Sequence, residues 1–256
     1  MTLSRQILAV EAILLILTLL VSCLSGRAGR LTTPLWWSAA IAGFVYAGMR
    51  YWMTWPMTPM FSGSILYPPL LVVFGALSLR GSRPEVAAVV RRWLIACACL
   101  IVLIGLCFPK DFYLPIIKTT SPYAHGVLIF GSLGRACLFV AAGWGCAVML
   151  GYDGIMQRMF RWMIWGFGYW TLSLFSGEVW SYSGWGVPMV WEDASTLTAI
   201  ATWLFYVGVM HMHLGGVWSR RARAAACVFG TLLIIVLNGG PDMGPFRNPL
   251  PIAGWA

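Results

Sequence analysis

Long apolar runs separated by short polar interruptions make up nearly the whole chain. Eight of them approach the ~20 residues that a helix needs to cross a bilayer. They lie at about 6–24, 35–52, 64–79, 93–108, 125–152, 161–175, 196–214 and 224–238. The pattern predicts an all-α fold, a polytopic transmembrane bundle of about eight helices with both termini outside. So little polar sequence remains that residues 1–256 form one membrane domain. Between the sixth and seventh runs lies a Trp-rich external loop, 177–195, and after the eighth a Pro/Gly-rich external tail, 239–256. Residues 1–25 contain Arg5, an apolar run and Leu20-Val21-Ser22-Cys23, which has the look of a lipoprotein cleavage box. Glu11 interrupts that run, so a retained first helix is the expectation.

Composition supports the membrane reading. Hydrophobic residues are 60% of the chain and charged ones 10%, against roughly 25% charged in soluble domains. The charges also orient the bundle. Loops after the first, third, fifth and seventh spans hold eleven arginines: Arg27, Arg30, Arg80, Arg83, Arg91, Arg92, Arg158, Arg161, Arg220, Arg221 and Arg223. The opposite face holds five cations: Arg5, Arg50, Lys110, Lys118 and Arg247. The positive-inside rule makes the arginine-rich face cytoplasmic and turns the Trp-rich loop toward the periplasm or exterior. The expected location is the bacterial cytoplasmic (inner) membrane. The net charge of +9 is then topological; it suits anionic lipid and calls for no nucleic acid.

Little soluble-enzyme chemistry is present. The seven cysteines form no CxxC pair and no haem-attachment CxxCH, and no P-loop or dinucleotide fingerprint occurs. Three histidines remain. His125 stands at the outer mouth of the fifth span. His211 comes about 15 residues into the seventh, roughly 22 Å below the outer surface at 1.5 Å per residue. His125 and His211 therefore do not share one metal. His211 and His213 point to opposite sides of their helix, and His213 reads as interfacial. Glu11 and Arg135 both sit inside apolar spans, in the outer half, and an intramembrane ion pair between them is expected, because such groups normally find an interior partner.

The stretch 177–211 holds Trp180, Trp185, Trp191 and Trp203 with Glu178, Glu192 and Asp193. An aromatic belt is the ordinary explanation of interfacial tryptophan. The order of motifs suggests more. Trp180, then Trp185-Gly186-Val187-Pro188-Met189-Val190-Trp191-Glu192-Asp193, resembles the WWD domain of haem-handling cytochrome c biogenesis proteins of the CcsA, ResC and CcmC type. Met189 stands where that pattern has its middle Trp, and Glu192 or Asp193 takes the acidic place. The helix leading to His211 is similar to the family's helix with a transmembrane histidine, and Ser121-Pro122-Tyr123-Ala124-His125 to the segment with its first external ligand. The family's second external histidine has no counterpart near 238–244, where Met243 is the candidate replacement.

The resemblance implies a cofactor, haem b in transit. The implied contacts are His125, Trp180, Trp185, Gly186, Trp191, Glu192, Asp193 and Met243 at the outer face, with His211 at a deeper position. It implies membrane lipid, a membrane partner chain with further haem ligands, and apocytochrome c or respiratory-complex subunits as partners. The expected function is haem handling and presentation at the outer face, at most as part of a haem-lyase-like complex. The alternative is a degenerate WWD-like subunit that anchors or assembles a larger respiratory complex without haem. Physically, Trp faces suit a flat apolar disc, and glycine lets backbone approach it.

Overall fold

A computed structural model describes residues 3–24, 31–59, 62–107, 120–191, 194–216 and 218–239. Glu192, Asp193 and Met243 lie outside these residues. Within them the chain is helical without strands: α1 Leu3–Cys23, α2 Thr32–Thr54, α3 Ser62–Ser78, α4 Pro84–Cys107, α5 Pro122–Met149, α6 Met156–Trp185, α7 Ala194–Leu214 and α8 Arg220–Ile234, the last continuing as a π-helical turn over Ile235–Gly239. Four of them (α1, α4, α5 and most of α7) are long and apolar enough to cross a membrane. The architecture is a multi-pass helical membrane bundle.

Local chemistry sets several helix ends. Ser121 precedes α5 and its hydroxyl accepts the Tyr123 N–H at 3.3 Å, with Pro122 at the first helical position, where a missing N–H costs nothing. Ser219 caps α8 in the same way, accepting from Ala222 N–H at 3.2 Å. The sixth helix differs from expectation: it runs on through 177–185, which the sequence pattern assigns to the loop. Its serines hide their hydroxyls by donating to backbone carbonyls one turn back, Ser176 to Leu172 and Ser183 to Val179, both at 2.8 Å. Gly186 then stops the helix in a left-handed conformation, φ 75°, with its N–H on Tyr182 O at 2.9 Å.

Helix α5 is the centre of the bundle, packed on α3, α4, α6 and α8. Small residues bring α5 and α6 into backbone contact. A Cβ at Gly134 would lie 2.8 Å from Trp170 N and 3.0 Å from Gly166 O, and the Ser173 hydroxyl donates to Val127 O at 2.9 Å. Such small-residue faces replace the hydrophobic driving force that helices lack in lipid. Helix α7 is attached on one side only. Trp203 stacks on Phe167 at 5.5 Å and donates its indole N–H to Thr171 at 2.9 Å, and the buried Tyr206 lies against Gly230 of α8.

Arginine contacts gather one set of helix ends on a single face. Arg92 donates to Ser22 O at the end of α1, 3.0 Å. Arg158 donates to Ser78, Arg80 and Gly81 carbonyls at the end of α3, at 3.4, 3.2 and 3.1 Å. Arg223 reaches His213 O at 3.5 Å, and Arg220 pairs with Asp153 beyond α5 at 2.9 Å. Cations at helix C-termini complement the negative dipole end, each worth about 0.3–1 kcal/mol. The described chain therefore begins and ends on the face opposite these arginines.

Candidate functional site

The face opposite the arginines carries His125 in the first turn of α5. Its ring is half-buried between aromatic neighbours from α2: Tyr51 stacks at 6.2 Å between centroids, and Trp55 lies tilted at 5.6 Å. Nε2 stands 3.1 Å from the Pro56 carbonyl oxygen. A carbonyl only accepts, so Nε2 carries the proton and the lone pair of the neutral ring sits on Nδ1. The Tyr51 hydroxyl beside this ring is buried and has no hydrogen-bond partner among the described residues.

The tryptophans of α6 sit higher on the same face. Gly126 of α5 is level with Ser176 of α6, because a Cβ there would lie 2.9 Å from Ser176 Oγ. Counting outward at 1.5 Å per residue, Trp180 stands roughly 5 Å and Trp185 roughly 12 Å above His125. Trp180 and Trp185 meet edge to face at 5.7 Å and 74°. Ser181 donates to Val187 O at 2.8 Å and folds the chain back after Gly186. Trp185 and Trp191 are exposed. The expected set thus divides: Trp180 and Trp185 form one outer patch, and His125 takes its aromatic neighbours from α2.

His211 lies near the arginine face, 17 residues into α7, about 26 Å along the helix. Its Nδ1–H donates to Val207 O at 2.8 Å, leaving the Nε2 lone pair on an exposed ring. A backbone carbonyl holding the other ring N–H is the usual support of a ligating histidine. His213 is used structurally. Its ring stacks on Phe160 at 3.7 Å, and its Nδ1 accepts from Arg223 at 3.3 Å.

The two intramembrane charges are held by other neighbours than the pair expected. Arg135 lies over Trp170 at 4.3 Å and donates to the Tyr67 hydroxyl. Glu11 is 1% exposed, with Oε2 unpartnered among the described residues and its carboxyl against Gly43 and close to Pro69. Helix α3 explains the difference, since its Tyr67 faces Arg135 while its Pro69 faces Glu11.

The sequence reading passed over Tyr51, Trp55 and Pro56. One signal pointed to them: span parity puts the aromatic end of the second span on the same face as His125.

Comparison with known proteins bears on the C-terminal part. Residues 152–238 match the family model described as cytochrome C assembly protein. This segment is similar to cytochrome c assembly proteins of CcsA type. The cytochrome c biogenesis protein CcsA of Prochlorococcus marinus strain MIT 9312 is 38% identical over 77 residues, 30% of this chain and 25% of that protein. Those of strains AS9601 and MIT 9303 are 35% and 34% identical, over 77 residues (25% of that protein) and 78 residues (24%), each 30% of this chain. The aligned stretch spans about a quarter of the length of these relatives. No solved structure matches. The matched segment takes in all of α6, α7 and α8, hence Trp180, Trp185 and His211. His125, Tyr51 and Trp55 precede it.

The donor set suits haem, the cofactor that the sequence resemblance implies. A neutral imidazole among aromatic faces suits iron in an apolar disc, and the orphaned Tyr51 hydroxyl offers a hydrogen bond to a bound molecule.

Proposed function

We propose that this chain handles haem at the outer face of the bacterial cytoplasmic membrane during cytochrome c assembly. It presents haem to an apocytochrome c together with a membrane partner chain. One observation carries the reading: the Trp-rich end of the cytochrome c assembly segment and His125 occupy the same face, opposite the arginines. His125 would hold the iron at the outer position. Trp180, Trp185, Gly186 and Trp191 make the aromatic surface, and Glu192, Asp193 and Met243 are candidates for its completion. When bound, haem supplies an iron that accepts an axial imidazole and an anionic edge that favours hydrogen-bond donors. The chain's own residues hold, orient and shield. His211 belongs to a deeper position. Its exposed Nε2 lies on the weakly covered helix α7, where a partner chain supplies the second ligand. No catalytic residue is assigned, and the chain is at most a component of a haem-lyase-like complex.

A second reading has one observation in its favour. Residues 238–244, where the resembled family has its second external histidine, hold none, and Met243 is the candidate in its place. That suits an integral subunit anchoring a larger respiratory complex without haem. The pyridine haemochrome spectrum of the protein purified in mild detergent separates the two readings. Haem handling predicts about one haem per chain and its loss in His125→Ala. A well-folded preparation devoid of haem, even after haemin is added, contradicts it and leaves the anchoring role.

A further inference from the structure

The outer histidine has company that the Trp-rich motif does not provide. Tyr51 and Trp55 belong to the last turns of α2 and its C-cap, some seventy positions before His125 in sequence, yet both rings lie against its imidazole. The Pro56 carbonyl, next along the chain, holds the imidazole N–H. Interfacial belt residues need not converge on a histidine; these do, from six consecutive positions of the chain, 51–56. Trp55 is 69% exposed while the Tyr51 hydroxyl is buried without a partner. The cluster thus has an open apolar face and an unused polar group at its floor. A buried, unsatisfied hydroxyl in a membrane protein is costly, and a bound molecule that hydrogen-bonds it removes that cost.

We propose that the aromatic pocket for an iron-bearing macrocycle at the outer face is formed by Tyr51 and Trp55 around His125, with Pro56 orienting the ring and the Tyr51 hydroxyl bonding the ligand. Trp180 and Trp185, higher on the same face, continue its aromatic surface outward. The inference rests on the haem-handling reading above and assigns its contact residues. Tyr51, Trp55 and Pro56 are positioning and binding groups, with no part in bond making.

Haemin titration of the purified full-length protein tests it, read by the Soret band and by quenching of tryptophan fluorescence. Trp55→Leu removes a stacking face and weakens haemin binding by roughly tenfold; Trp55→Phe retains a ring and restores most of the affinity. Tyr51→Phe keeps the ring, loses only the hydroxyl, and weakens binding by about five- to tenfold. Trp218→Leu, in the turn between α7 and α8 on the arginine face, changes it less than about twofold. Wild-type affinity in both Tyr51→Phe and Trp55→Leu, with His125→Ala inactive in binding, overturns this pocket and leaves the haem reading intact. A wild-type protein that binds no haemin overturns both.

Discussion

Helices α5 and α7 each end near a histidine, and the bundle treats them differently. The most apolar window of α5 is 61% buried inside the protein, that of α7 only 17%. His125 therefore sits on a helix locked by backbone-to-backbone contact with α6, and its ring is boxed by aromatic groups. His211 sits on a helix fastened along one side, and its ring faces outward with its lone pair unused. Rigid placement suits a site built within one chain, because ligands held by packing need no further ordering on binding. An outward histidine on a loosely covered helix suits a site completed by a second chain.

Three substitutions probe this contrast by thermal unfolding in detergent. The largest effect is expected from Gly134→Ala. Its methyl would press on the backbone of Trp170 and Gly166, which cannot rotate away, so a loss of about 1–3 kcal/mol follows. Wild-type stability in that variant would show that α5 and α6 are not locked. Next comes Trp203→Phe, which preserves the stack on Phe167 and deletes the hydrogen bond to Thr171. A loss of about 1 kcal/mol is expected; no change would mean that α7 is held elsewhere. The smallest effect belongs to Gly208→Ala on α7, where nothing lies within 4 Å of the new methyl. That change should stabilise by about 0.4–1 kcal/mol through the unfolded chain, and destabilisation would reveal a covering neighbour on that face.

Much of this fold could be read from hydrophobic runs. The all-helical bundle, the arginine face and the place of His125 on the opposite face all follow from run length and charge placement. The extent of α6 was less legible. Residues 177–185 are rich in Gly, Ser and Trp and look loop-like, but the serines satisfy themselves on the helix and the first true stop is Gly186. Partners contributed by distant helices were hidden altogether. Depth alone suggested Glu11 for Arg135, whereas the fold inserts α3 between them and gives Arg135 the rings of Tyr67 and Trp170. The neighbours of His125 were hidden for the same reason, because periodicity states which face a helix buries but not which helix it meets. The candidate site was thus half visible: its histidine and outer tryptophans stood out, while its immediate walls did not.

Ligand rescue tests the account most directly. In His125→Gly, removal of the side chain leaves room for free imidazole between Tyr51 and Trp55. Haemin mixed with this variant should give no wild-type Soret spectrum until imidazole is added, while His211→Gly keeps the wild-type spectrum at the outer site throughout. A His125→Gly protein whose Soret spectrum matches wild type before any imidazole is added would contradict the assignment of His125 as the outer ligand.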